Sequence, residues 1–140
     1  MKFRQSVYII LKKGNKVLIT KGNKNNIDFW NFPGGGIEGE ESIFDAFYRE
    51  AYEELGLKKE DFLDVKDTNL VNKYVWPDFI RKNKDFDGQE KRLMIGIVKD
   101  EIKIDTSITN EISEFKWVEK EKLLDSLHHP ELASLALKVL

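Results

Sequence analysis

Residues 35–57 read GGIEGEESIFDAFYREAYEELGL, a glycine-rich entry into a stretch that carries three closely spaced acids. Ser42 with Asp45 three residues on resembles a capping box, and Gly56 stands where a helix commonly ends. Between them Ile43, Phe44, Phe47, Ala51 and Leu55 recur at three- and four-residue intervals. The spacing predicts a helix over 42–55 with one apolar stripe. At 100° per residue, Glu50 and Glu54 lie about 40° apart on that helix and Glu50 and Glu53 about 60° apart. All three carboxylates therefore share one face beside the stripe, near the edge of the core. Two bare carboxylates about 4 Å apart repel by roughly 4 kcal/mol at an effective dielectric of 20. Arg49, four residues before Glu53, offsets part of this, and one cation against three acids leaves negative charge in excess. A solvated glutamate-rich surface is the commonplace explanation of such a helix. A hard divalent cation held by oxygen ligands is the alternative, with Mg²⁺ the usual ion where phosphates also bind.

The rest of the chain narrows the setting. Its 140 residues suit a single domain over 1–140 with one core, and 41% apolar with 34% charged residues is an ordinary globular composition. A net charge of −2 argues against a chain built to coat nucleic acid or an anionic membrane. The absence of cysteine excludes disulfides, thiolate metal sites and cysteine nucleophiles, and fits a reducing cytoplasm. The early apolar run Val7–Leu11 is too short for a membrane span, so no membrane partner is expected.

SVYIILKKGNKVLITKG (residues 6–22) reads as a hairpin turning at Gly14-Asn15. Residues 23–41 are dense in turn formers, and LKKEDFLD (57–64) reads as a charged loop or short helical turn. Residues 68–76, 91–104 and 111–118 read as strands, and 119–127 and 131–140 as closing helices, the second started by Pro130. Strands on both sides of the central helix favour an α/β or α+β sandwich with a mixed sheet.

Residues 35–57 also match G-x5-E-x7-R-E-U-x-E-E-x-G-U, with U an aliphatic residue and Ala51 the smallest occupant of such a position. In this the chain resembles the Nudix hydrolases, and the flanking WNFPGG and the strand order are similar to that family as well. The resemblance implies a Nudix-fold α/β/α sandwich with a mixed β-sheet. It also implies Mg²⁺- or Mn²⁺-dependent hydrolysis of a nucleoside diphosphate linked to a further group. By position, Glu50, Glu53 and Glu54 correspond to the metal-binding glutamates, and Gly34 to a glycine whose carbonyl joins the metal shell. Arg49 would orient the glutamates, and Glu41 would be a supporting outer ligand. Glu53 and Glu111 are the two candidates for general base, the latter standing six residues before Trp117 as a loop glutamate does in related enzymes.

Two later features bear on the substrate. Tyr74 and Pro77 form YVWP, and Gly88–Leu93 reads GQEKRL. Both resemble segments of the dinucleoside polyphosphate hydrolases and RNA 5′-pyrophosphohydrolases, although Leu93 and Met94 replace the usual aromatic pair. Lys73 stands where ADP-ribose hydrolases carry proline, which disfavours that branch. Arg81, Lys82, Lys84, Lys91 and Arg92 are candidate phosphate-neutralising cations, Gln89 lies among them, and Tyr74 or Trp76 could stack on a base. The same charges could instead keep an exposed edge soluble. Trp30 and Trp117 read as packing residues, and His128 and His129 as part of a helix connection. The expected partner is a nucleotide, with an RNA 5′ end as one form of it, and the chain is expected to act as a monomer or homodimer. A (d)NTP or modified-nucleotide pyrophosphatase is the competing enzyme, and a non-catalytic nucleotide-binding module the competing non-enzyme.

Overall fold

Strand β1 (Phe3–Lys13) organises the molecule, because its buried centre alternates between two separate apolar clusters. The computed structural model describes residues 1–22, 30–82 and 84–140. Val7, Ile9 and Leu11 point to one face of the sheet and Tyr8 and Ile10 to the other. Among the described residues the sheet has seven strands, the others being β2 (Lys16–Gly22), β3 (Trp30–Asn31), β4 (Gly34–Gly36), β5 (Phe62–Val75), β6 (Gly88–Val98) and β7 (Ile112–Glu119). The main path runs β3-β2-β1-β6-β5; β1 and β6 are parallel and the other pairings antiparallel. The other edge of β1 is shared. At its C-terminal end Lys12 and Lys13 pair with β2, and at its N-terminal half Ser6, Val7 and Tyr8 pair with Gly36, Gly35 and Gly34 of β4.

Helix α1 (Ile43–Leu55) covers the first face and buries Ala46, Phe47, Ala51 and Leu55 against Val7, Ile9 and Met94. Ser42 Oγ accepts the Asp45 amide at its start, and Gly56 ends it at φ 70°, a left-handed conformation that glycine adopts without cost. The short helices α3 (Leu123–Ser126) and α4 (Pro130–Leu137) cover the second face through Leu123, Leu132, Ala133 and Ala136. Another short helix, α2 (Asp78–Arg81), links β5 towards β6. The result is the expected α/β/α sandwich on a mixed sheet.

Several expectations are corrected in detail. Phe44 is 40% exposed and Ala46 takes its place in the core, because the buried arc is centred on Phe47 and Ala51. The strand expected to run to Ile104 stops at Val98; Ile102 and Ile104 return to the first core from a loop, which mimics strand alternation in the sequence. The segment read as a loop or short helical turn over 57–64 does contain one 3-10 turn, at Lys59–Asp61, but is already β5 from Phe62. Of the turn-rich segment, residues 23–29 lie outside the described residues.

Phe47 is fully buried and meets Tyr48 and Phe62 edge to face at 5.6 and 5.4 Å between ring centres. Phe47→Ala should therefore destabilise the protein by about 3–5 kcal/mol. A urea titration should show a lower midpoint with an unchanged slope; a midpoint within error of the wild type would show that α1 is not anchored here.

Candidate active site

Glu50 and Glu54 stand on the inner face of α1, and both are buried. Such burial requires open space opposite, and β4 provides it. A Cβ added to Gly35 would overlap the Glu50 carboxylate, so only glycine fits between that side chain and the strand. Pro33 O accepts from Ile9 N and Ile37 N donates to Gln5 O, which turns the odd-numbered peptide groups of β4 towards β1. Those of Gly34 and Gly36 face away from β1, to an edge without strand pairing among the described residues, where Gly36 O accepts Arg49 Nη2 at 2.8 Å.

Arg49 is the hub of the acidic face. Its Nε and Nη2 grip both oxygens of Glu41 at 2.8 and 2.9 Å. Its Nη1 donates to Glu50 at 2.9 Å and to Glu53 at 3.3 Å. Glu41 accepts a further bond from the Glu38 amide, and the guanidinium with this amide holds its carboxyl down at about 2. Arg49 is in turn held above its ordinary value by Glu41. Burial raises the Glu50 carboxyl, against the pull of Arg49.

Among the described residues no arginine hydrogen bond or salt bridge to Glu54 is formed. Burial, and then hydrogen bonding and repulsion from Glu111, push its carboxyl up to about 8. Glu111 arrives from the loop before β7, which is laid along the end of α1 by Asp105 N donating to Leu55 O at 2.8 Å and Thr109 Oγ1 to Glu53 O at 3.4 Å. Residues 54 and 111 thus meet carboxyl to carboxyl. Among the described residues no three Asp, Glu or His side chains are already gathered round one point, since Arg49 draws Glu50 and Glu53 to itself. The donor set nonetheless fits a hard divalent cation: its side chains are all carboxylates, two are buried, and the open peptide edge of β4 lies beside them.

The other predicted residues fall into two groups. Tyr74, Gln89 and Lys91 lie on the sheet face opposite α1. Gln89 Nε2 donates to the Tyr74 hydroxyl at 3.0 Å, Ser6 Oγ donates to Gln89 Oε1 at 2.9 Å, and the Lys91 ammonium lies 4.3 Å from the centre of the Tyr8 ring. Burial and Arg4 lower Lys91 to about 8, while the charges of Glu50 and Glu54 act in the opposite sense across the sheet. Trp76, Arg81 and Arg92 stand apart from this cluster. Arg81 is taken up by Asp87 at 2.9 Å and Asp78 at 3.2 Å, and Arg92 by both oxygens of Asp67 at 2.9 and 3.1 Å. Trp76 is half-buried, with its amide bonded to Asp87 O.

A cleft of about 470 Å³ opens beside Tyr74, lined also by Tyr8, Asn31, Asn72, His129, Glu131 and Leu132. Apart from Tyr74, sequence reasoning did not assign these residues to a site. Tyr8 sits in an apolar run that reads as core, and α4 joins the cleft only through tertiary packing.

A model of the NUDIX domain matches residues 2–138. This chain belongs to the Nudix hydrolase family. It is 32% identical over 123 residues to an RNA pyrophosphohydrolase of Pelagibacter ubique, covering 84% of this chain and 76% of that protein. It is 30% identical over 122 residues to an RNA pyrophosphohydrolase of Francisella tularensis, covering 83% and 77%. Among solved structures, the E. coli dihydroneopterin triphosphate pyrophosphohydrolase superposes with a TM-score of 0.80 at 15% identity, over 99% of this chain and 97% of that one. A C. elegans Ap4A hydrolase gives 0.74 at 16% identity, over 96% and 93%. At those identities the structural likeness speaks for the fold. Nudix hydrolases generally use divalent metal ions.

The Glu54 carboxyl makes a testable statement about stability. Without a divalent cation, the unfolded chain releases this proton near 4.5 and the folded chain near 8. Between these values the native state binds more protons, so this contribution is complete below about pH 4.5 and is lost as pH rises through about 8. In EDTA, the melting temperature of the wild type should therefore fall relative to that of Glu54→Gln from about pH 5 to about pH 8. Parallel curves would show that the carboxyl is not held in this way.

Proposed function

We propose that the protein hydrolyses a pyrophosphate bond in a nucleoside polyphosphate, with 5′-triphosphate RNA or a dinucleoside polyphosphate as substrate, in the cytoplasm. The observation that carries this reading is the pair of buried carboxylates, Glu50 and Glu54, beneath a strand of glycines. Leaving two such groups out of water without a cation is unfavourable, and the concentration of acid has a use only where an ion and an anionic ligand meet. The curated relatives named as RNA pyrophosphohydrolases support RNA as the first substrate to test.

Glu50, Glu53 and Glu54 would hold Mg²⁺, with Mn²⁺ as a substitute, and the Gly34 carbonyl on the open edge of β4 would complete the protein's share of ligands. When bound, the ion withdraws negative charge from phosphate oxygens and so opens phosphorus to attack. Arg49 positions Glu50 and Glu53 from one guanidinium, and Glu41 holds Arg49 in place. That engagement makes Glu41 a positioning residue more than a ligand. Glu111 is the favoured proton acceptor for the attacking water, because the loop before β7 brings its carboxyl against Glu54 at the end of the acidic face. Glu53, half-exposed and tied to Arg49, is the second candidate for that role.

The test is a panel of 5′-triphosphate RNA, dinucleoside polyphosphates and (d)NTPs with magnesium, read by product analysis. Glu53→Gln should lower turnover by at least about 10²-fold while the folded structure is retained. An unchanged rate would overturn the assignment, and preferential cleavage of (d)NTPs would move the substrate to the competing pyrophosphatase class.

A further inference from the structure

The chain between β6 and β7 closes the end of α1 before it delivers Glu111. The last carbonyls of α1 have no partner inside the helix, and no basic side chain stands in its last turn. Gly56 N and Leu57 N take the Tyr52 and Ala51 carbonyls. Asp105 N takes that of Leu55 at 2.8 Å, and the Thr109 hydroxyl takes that of Glu53 at 3.4 Å. The approach is close: a Cβ on Gly56 would stand 2.9 Å from Asp105 Cβ. Between these two anchors, Asp105 Oδ1 accepts the Ser107 hydroxyl at 2.6 Å and the Ser107 amide at 3.0 Å, a turn closed by the aspartate side chain. Beyond them Ile112 is buried in the first core and begins β7. Asn110 and Glu111 therefore span a gap fixed on both sides, by Thr109 on α1 and by Ile112 in the sheet. Asn110 crosses it at φ 58°, one of two non-glycine residues in the left-handed region among the described residues. Asparagine enters that region at lower cost than most residues with a Cβ.

We propose that Asp105 and Asn110 are positioning residues for Glu111, which together set its carboxyl against Glu54. The inference rests on the hydrolase reading above and adds the residues that aim its proton acceptor. With both neighbours anchored, the backbone at Asn110 decides the side on which the next side chain leaves the chain. A right-handed or extended residue there would send the Glu111 side chain in another direction. Asp105 acts one step earlier, because its carboxylate folds residues 105–107 so that Thr109 arrives at the last turn of α1. That turn also carries Glu53 and Glu54. One set of contacts thus ties the proton acceptor to the helix of the acids beside which it works. Such ties matter to rate, since a misplacement of about 1 Å can cost about 10²-fold. The commonplace alternative is that the segment only caps α1. A cap needs the Asp105 amide and the Thr109 hydroxyl, and makes no demand on the backbone that follows them.

The test is turnover with magnesium, on whichever of 5′-triphosphate RNA, dinucleoside polyphosphates and (d)NTPs the wild type cleaves fastest. Alanine resists a positive φ, so Asn110→Ala should lower kcat at least about tenfold with KM little changed. Glycine adopts the same φ freely, and Asn110→Gly should recover kcat to within about threefold of the wild type. Asp105→Ala should also lower kcat, and Asp105→Asn, which keeps the acceptor oxygen, should recover it. In a Glu111→Gln background Asn110→Ala should cost nothing further, because it acts through the carboxyl already removed. A crystal structure of Asn110→Ala without metal should show the Glu111 carboxyl turned away from Glu54. Wild-type turnover in Asn110→Ala, equal losses in its alanine and glycine variants, a full further loss in Glu111→Gln, or an unmoved carboxyl would overturn the inference. Wild-type turnover in Glu111→Gln would instead remove Glu111 as the proton acceptor. A wild type inactive on every polyphosphate would sink the hydrolase reading itself.

Discussion

Two carboxylates removed from water on the inner face of one helix are the constraint around which the rest of the site is arranged. Burial disfavours their charged forms, and only partial compensation is built in: Arg49 reaches Glu50 and Glu53 and leaves Glu54 to Glu111. The surrounding elements follow from that. Gly35 lacks a side chain because the Glu50 carboxylate occupies its place. Glu41 and the Gly36 carbonyl hold the guanidinium from two directions, with its Nη1 turned to Glu50 and Glu53. The loop before β7 is tied to the end of α1, which brings a further acid where charge is already in excess. A fold selected for stability alone would put apolar side chains here.

The helix was legible in the sequence because its start, period and end are all local. Ser42, the three- and four-residue spacing and Gly56 each act within a few residues of one another, and the structure bears out all three. Phe44 was misplaced because a stripe read from sequence has no defined edge until the opposing sheet fixes which side chains it covers. The strand read over 91–104 was carried too far for a related reason: Ile102 and Ile104 pack on the core beyond the strand's end at Val98, and alternation alone does not distinguish the two. The meeting of Glu54 with Glu111 was beyond reach of spacing, since it depends on how a loop is laid against α1. The same holds for the cleft, whose lining comes from β1, β3, β5 and α4.

The basic residues show how far composition can mislead about a site. Five cations between positions 81 and 92 looked equivalent as candidates for phosphate. Arg81 is closed by Asp78 three residues earlier, a helical partner visible in the sequence, and by Asp87. Arg92 is closed by Asp67 from the neighbouring strand, a partner that only the β5–β6 pairing reveals. Lys91 differs from its neighbour because successive residues of a strand point to opposite faces. It is turned towards Tyr8 and has no carboxylate salt bridge among the described residues.

That alternation also sets the electrostatic layout of the whole site. The acids of α1 lie on one face of the sheet, and Lys91 lies on the other, close enough for Glu50 and Glu54 to act on its charge. Arg4 sits on the same side as Lys91, where a Cβ on Gly36 would overlap its guanidinium. Positive charge and an aromatic, hydrogen-bonding cleft therefore occur together on one side, and concentrated negative charge on the other, with glycine backbone between them. A ligand that carries only a ring or only a polyanion would use half of this arrangement. One that carries both, joined by a flexible chain, would meet both sides if the acidic end held the cation that the proposed function requires.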